Sequence, residues 1–107
     1  MLIAVTSSGD SLDSLVNEKF GRCQYFIIVN ADTMKYEVVP NPAENAQGGA
    51  GPKAAEVLVN KGVNVLLTGH VGDKAEEALK KGHIHIITGL NENTKIADAI
   101  KFYLSKK

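Results

Sequence analysis

Cysteine occurs once in this chain, at Cys23. No disulfide can close within it, and nothing calls for an oxidising compartment. Neither sign of charge is in excess: twelve Lys and Arg stand against twelve Asp and Glu. That balance removes the electrostatic pull toward nucleic acid or an anionic membrane. Three lysines fall in the last seven residues, Lys101, Lys106 and Lys107, few enough to read as the solvated end of a helix. No apolar run comes near the ~20 residues of a membrane span. Met1–Val5 passes straight into a strand-like segment, without the basic stretch and long apolar core of an export signal. These shortages point to a cytoplasmic protein with neither membrane nor nucleic acid among its partners. At 107 residues, 44% of them hydrophobic, the chain is expected to form one domain over 1–107 and to bury ~65% of its unfolded surface.

Catalytic signatures are missing too. There is no G-x-S-x-G, no HExxH and no CxxC. A two-metal nuclease would need carboxylates on its first strand, and Leu2–Val5 carries none. Asp10 and Asp13 lie beyond that strand, where acids more often cap than catalyse. Cys23 could serve as a nucleophile beside a histidine, but no spacing demands it. No enzyme is expected.

What is present is a glycine-rich stretch, Asn45-Ala46-Gln47-Gly48-Gly49-Ala50-Gly51-Pro52. Pro52 reads as the first residue of a helix, where a fixed φ and a missing N–H cost nothing. Glycines ahead of a helix let the backbone approach a ligand, with free N–H groups and the positive dipole end toward it. Gly48, Gly49, Ala50 and Gly51 are therefore candidates to cradle an anion or a cluster. The spacing is not GxGxxG and lacks the Lys-Ser/Thr of a P-loop, so it is no nucleotide motif; a flexible connection is the plainer alternative.

Around this stretch the elements read in order. Leu2–Val5 is a buried strand closed by Thr6–Asp10. Leu12, Leu15, Val16 and Phe20 fall at helical spacing, ended by Gly21. Tyr25–Val29 is apolar on both faces and so central, and Lys35–Val39 alternates like an edge strand and completes a hairpin, with Pro40-Asn41-Pro42 stopping it. Ala54, Ala55, Val57 and Leu58 give the next helix its apolar face, with Gly62 at its end. Val63–Leu67 is a buried strand, Asp73 with Glu76 three residues on reads as a helix N-cap pair, Gly82 closes that helix, and Ile84–Ile87 is the last strand. Ile96, Ala99, Ile100 and Tyr103 mark a C-terminal helix.

The order β-β-β-α-β-α-β-α predicts a three-layer α/β/α domain with a mixed five-stranded sheet. Ligands in such sheets settle beyond the carboxyl ends of parallel strands, where Thr6–Asp10, Thr68–Gly72 and Thr88–Asn93 emerge. The Gly-rich loop enters its helix from the other direction and is not required to join them.

Binding has candidates of its own. A thiolate at Cys23 would be favoured beside the Arg22 guanidinium and become a better metal ligand; a small buried hydrophobe is the alternative. His70 sits in a Gly-His-Val-Gly loop at a strand end, a good place for a nitrogen ligand. His83 and His85 share a strand face, though histidines so placed are more often packed or solvated than ligands. Lys19 with Arg22 could receive an anionic group.

Several blocks together are distinctive: Ile3-Ala4-Val5 with Ser7-Ser8-Gly9, Leu12-Asp13-Ser14, Phe20-Gly21-Arg22-Cys23-Gln24-Tyr25-Phe26, Asn41-Pro42, Gly48-Gly49-Ala50-Gly51, Gly62-Val63, Gly69 with Gly72, and Ala75. In order and spacing they resemble the dinitrogenase iron–molybdenum cofactor biosynthesis family over nearly the whole chain to about Ile87. The resemblance implies an RNase H-like fold and a nitrogen-fixation-related role as carrier of a metal–sulfur cofactor or its precursor. It implies an iron–sulfur or molybdenum-containing sulfide cluster as cargo, and metallocofactor assembly proteins or a cluster donor and acceptor as partners. Relatives that hold cofactor often place histidine immediately before the Phe-Gly block, and here Lys19 stands there, unable to ligate while protonated. Cys23 matches a position where some relatives also have cysteine. With Cys23 and His70 as metal ligands, a thiolate–imidazole pair would suit a metal–sulfide cluster better than Mg²⁺ or Ca²⁺. The rival is a protein–protein or small-anion-binding module that keeps the fold without the cluster.

Overall fold

The computed structural model describes residues 1–106. Its elements are β1 (Leu2–Ser7), a one-turn 3₁₀ helix (Phe20–Arg22), β2 (Tyr25–Asn30), β3 (Tyr36–Pro40), α1 (Ala50–Asn60), β4 (Val65–Leu67), α2 (Asp73–Lys81), β5 (His85–Ile87) and α3 (Ile96–Ser105). They form a five-stranded sheet in the order β3-β2-β1-β4-β5. β2 runs antiparallel to both β1 and β3, while β1, β4 and β5 are parallel. This is the mixed α/β/α sheet that the element order predicts, and the RNase H-like arrangement that the family resemblance implies.

Period-2 alternation assigns the two faces. Ala4, Phe26, Ile28 and Leu66 pack under α1 and α2 with Ala54, Ala55, Leu58 and Leu79. Ile3, Val5, Ile27, Val29, Val65 and Leu67 pack under α3 with Ile96, Ala99 and Ile100. β1 is central and its apolar residues Ile3, Ala4 and Val5 are fully buried; β2, also internal, is apolar on both faces for the same reason. β3 is an edge strand, which is why Pro40 can be its last paired residue, opposite Tyr25, without costing the sheet a needed donor.

Three local readings are corrected. Leu12–Phe20 is not helical. Its apolar residues are drawn into bridges instead, Val16 with Ser7 and Leu15 with Lys95, and Leu15 is exposed while Val16 is buried. Only Phe20–Arg22 makes a helical turn. Pro52 is the third residue of α1 rather than the first, still within the turn whose N–H groups have no intrahelical partner. Asp73 is the first residue of α2, not its cap, and makes no capping bond; it favours the helix through the dipole. Gly82 does close α2, as its C-cap, and the residue after it, His83, takes the left-handed conformation with φ 62°. Ile84 N–H donates to Leu79 O and His83 N–H to Lys80 O, the paired bonds of a Schellman ending. Gly82 is small for another reason: a Cβ there would meet Val59 Cγ2 at 2.5 Å. Of the terminal lysines, Lys101 and Lys106 are exposed and Lys107 lies outside the described residues.

Candidate functional site

Two antiparallel pairings in succession make β3 run the same way as β1. The chain therefore leaves β3 at the edge where β1, β4 and β5 also end. The Gly-rich loop, which the element order did not require to lie there, joins the loops after β1 and β4 at that edge. α1 and α2 both start there, side by side on one face of the sheet.

Their first turns nearly touch. A Cβ on Gly51 would lie 2.9 Å from Ala75 Cβ, and one on Gly21 would lie 3.0 Å from Gly51 N. Residues without side chains thus bring the 3₁₀ turn, the start of α1 and the start of α2 into one place. Between them runs an open groove of about 440 Å³, lined by Phe20–Arg22, Gly49–Pro52 and Gly72–Ala75. The first four N–H positions of a helix have no intrahelical partner, and in α1 these are Gly49, Ala50, Gly51 and the N–H-less Pro52. Lys53 N–H is the first to bond back, to Gly49 O; in α2 the first is Glu76, to Gly72 O. Gly49 holds φ at +68°, and a Cβ at Gly48, Gly49 or Gly72 would meet nothing. Backbone is bare where it faces the opening. Arg22 and Lys74 supply positive charge and Asp73 opposes it.

Arg22 is tied to the loop: its Nη1 donates to Glu44 O at 3.2 Å and to Ala46 O. Asn41, buried, ties the same region from beneath. Its Nδ2 donates to Cys23 O at 2.9 Å and Gly21 O at 3.2 Å, and its Oδ1 accepts from Ala43 N–H. The 3₁₀ turn and the loop before α1 are therefore one hydrogen-bonded unit.

The expected thiolate at Cys23 is corrected. Cys23 is fully buried beside Phe20, Phe26 and Ala43, and burial pushes its thiol up from 9.0 to about 12 against smaller opposing hydrogen bonds from Ser7 main chain and Asn41. Neighbouring Arg22 does not lower it because its guanidinium is engaged outward, on the loop carbonyls. Lys19 and His70 are brought together: Glu18–Phe20 pairs with the chain around His70, His70 N–H donating to Glu18 O at 2.7 Å and Phe20 N–H to His70 O at 3.1 Å. Gly69 permits this pass, since a Cβ there would meet Glu18 backbone at 2.7 Å. Both side chains are exposed and neither lines the groove. His83 and His85 lie at the start of β5, the opposite end of the strands. Among the described residues no three His, Cys, Asp or Glu side chains gather to hold a metal ion. Sequence reasoning missed Gly72, Asp73 and Lys74 as groove residues. The Gly72-Asp73 helix start was visible, but its contact with α1 is a tertiary fact.

The fold and groove define a small RNase H-like protein whose bare helix starts and cations are suited to an anion. The chain belongs to the dinitrogenase iron-molybdenum cofactor family, whose model matches residues 1–106. It is similar to the apo form of the orange protein from Desulfovibrio gigas, at 42% identity and TM-score 0.94 over 98% of this chain and 88% of that one. The NMR structure of a NifB-like protein from Thermotoga matches at 34% identity and TM-score 0.80, covering 97% and 87%. An uncharacterized protein of Methanocaldococcus jannaschii is 33% identical over 91 residues, 82% of this chain and 75% of that protein.

Proposed function

We propose that the protein is a non-enzymatic carrier of an anionic metal–sulfur cluster or cofactor precursor, passed between metallocofactor assembly proteins. The observation that carries this reading is the meeting of two helix starts under a glycine-rich loop. Unpaired N–H groups of Gly49, Ala50 and Gly51 face an open groove with Arg22 and Lys74 beside them. Helix N-termini placed side by side repel each other's positive ends, and an anion between them relieves that repulsion. The groove offers N–H donors and cations, a fit for the outer sulfides of a cluster. Membership of a cofactor family supports the same cargo class. Lys19, exposed and next in the chain to Phe20 of the groove wall, adds positive charge to this region. Cys23 would ligate only if Gly21–Gln24 opened, and His70 only if its loop turned inward, so holding is assigned to the backbone and the cations.

The second reading, a small-anion module without a cluster, is favoured by Cys23 burial and by Lys19 in place of histidine. Anaerobic titration with tetrathiomolybdate, molybdate and phosphate, followed by visible absorption and metal analysis, separates the two. Tight stoichiometric binding of the thioanion alone, kept in Cys23→Ala and weakened in Lys74→Gln, is the expected result. Equal binding of oxyanions would favour the small-anion module. Retention of no thioanion by the wild type would overturn the carrier reading.

A further inference from the structure

One groove cation spends only part of its donor set on the fold. A guanidinium carries five N–H donors in a planar fork. In Arg22 a single nitrogen, Nη1, serves both loop carbonyls, Glu44 O and Ala46 O, which flank Asn45 just ahead of Gly48. The donors on Nε and Nη2 meet no acceptor among the described residues, and no carboxylate pairs with this arginine there. The residue is nevertheless part of the groove wall.

We propose that Arg22 works from both edges. Nη1 braces the loop 44–49, and the Nε/Nη2 edge takes up the terminal atoms of the anionic cargo, so that cargo binding and loop order are coupled. The proposal rests on the carrier reading above and adds the residue that links the cargo to the glycine cradle. The brace already orients the guanidinium, so less side-chain freedom is lost when an anion arrives. An anion on the free edge in turn immobilises the fork and strengthens the brace. Two adjacent N–H groups on that edge suit a pair of terminal sulfides or oxygens on one metal atom. Lysine would keep the charge and lose both functions, because an ammonium is a point charge without a fixed fork.

The test is amide hydrogen exchange over residues 43–51 of the full chain, with and without tetrathiomolybdate, in wild type, Arg22→Lys and Arg22→Gln, together with binding titrations. Lys74→Gln serves as a groove variant that leaves the brace intact. Without the anion, both Arg22 variants should exchange this segment about tenfold faster than wild type, the expected effect of losing charge-assisted bonds. Tetrathiomolybdate should slow exchange further in wild type but not in Arg22→Lys, which should bind it about tenfold more weakly. Arg22→Lys exchanging like wild type without the anion would overturn the brace, and its binding with wild-type affinity would overturn the anion edge. If the thioanion binds wild type and Lys74→Gln weakens it while Arg22→Lys does not, the carrier reading stands and this proposal falls. If wild type binds none, the carrier reading falls and the anion edge with it, while ligand-free exchange still decides the brace.

Discussion

Cys23 and Asn41 share one buried corner, and between them they show how position overrides residue type. Beside Arg22 in the chain, Cys23 looks like an activated thiol. In the structure burial dominates and holds the thiol neutral up to about 12. Asn41 has the opposite history: as part of an Asn-Pro pair it looks like a strand breaker, yet its side chain joins Gly21, Cys23 and Ala43. The Cys23 shift makes a prediction about alkaline stability. Above pH 9.0 the unfolded thiol ionises while the folded one stays protonated until about 12. The unfolded state then binds fewer protons, so stability is whole below that range and falls through it as pH rises. Wild type should lose ~1.4 kcal/mol per pH unit more than Cys23→Ala between pH 9 and 12, measured by urea unfolding at matched pH values. Equal slopes for the two proteins would show that the thiol is not held neutral by the fold.

At the scale of elements, the ends of helices decide more than their middles. The Schellman ending of α1 uses Gly62 at φ 74°, whereas that of α2 puts His83 in the same left-handed region at φ 62°. A side chain there costs ~1–2 kcal/mol, partly offset by the greater freedom glycine has in the unfolded chain. His83→Gly should therefore raise stability by ~0.5–1 kcal/mol, seen as a Tm increase of a few degrees; an unchanged or lower Tm would contradict the assignment. The helix starts make the complementary case. Gly51→Ala would set a methyl 2.9 Å from Ala75 Cβ, forcing α1 and α2 apart. We expect a loss of ~1–3 kcal/mol together with weaker tetrathiomolybdate binding. Retained stability and binding would mean that the groove does not depend on this close approach. Leu12–Phe20 shows the limit of periodicity: four apolar residues at helical spacing were available, but pairing with Ser7 and Lys95 took two of them.

For the molecule as a whole, the sheet order puts four loops and two helix starts at one edge, and the charge there sets how an anion would be received. If Arg22, Lys19 and Lys74 act chiefly by charge, tetrathiomolybdate affinity should fall several-fold as salt rises from ~0.05 M to ~0.5 M, because screening shortens the reach of exposed charges. An affinity indifferent to salt would shift the weight to the N–H donors of the two helix starts. Much of this architecture was legible beforehand. Strand-length apolar runs, the hairpin's turn residues and the Gly-rich helix entry gave the element order, and alternation gave β3 its place at the edge. Those signals are local, carried by side-chain spacing and turn chemistry within a few residues. The groove was not legible, because it depends on contacts between Gly21, Gly51 and Ala75 that no spacing encodes. The direction of β3, and hence the side on which the Gly-rich loop emerges, followed only once both pairings of β2 were set. The sequence by itself determined which residues could form strands, helices and bare backbone, together with the single cysteine and the balanced charge. Tertiary structure alone decided that Cys23 is a core thiol, that Arg22 turns outward, and that two helix starts meet, since burial and close approach belong to the packed chain rather than to any segment of it.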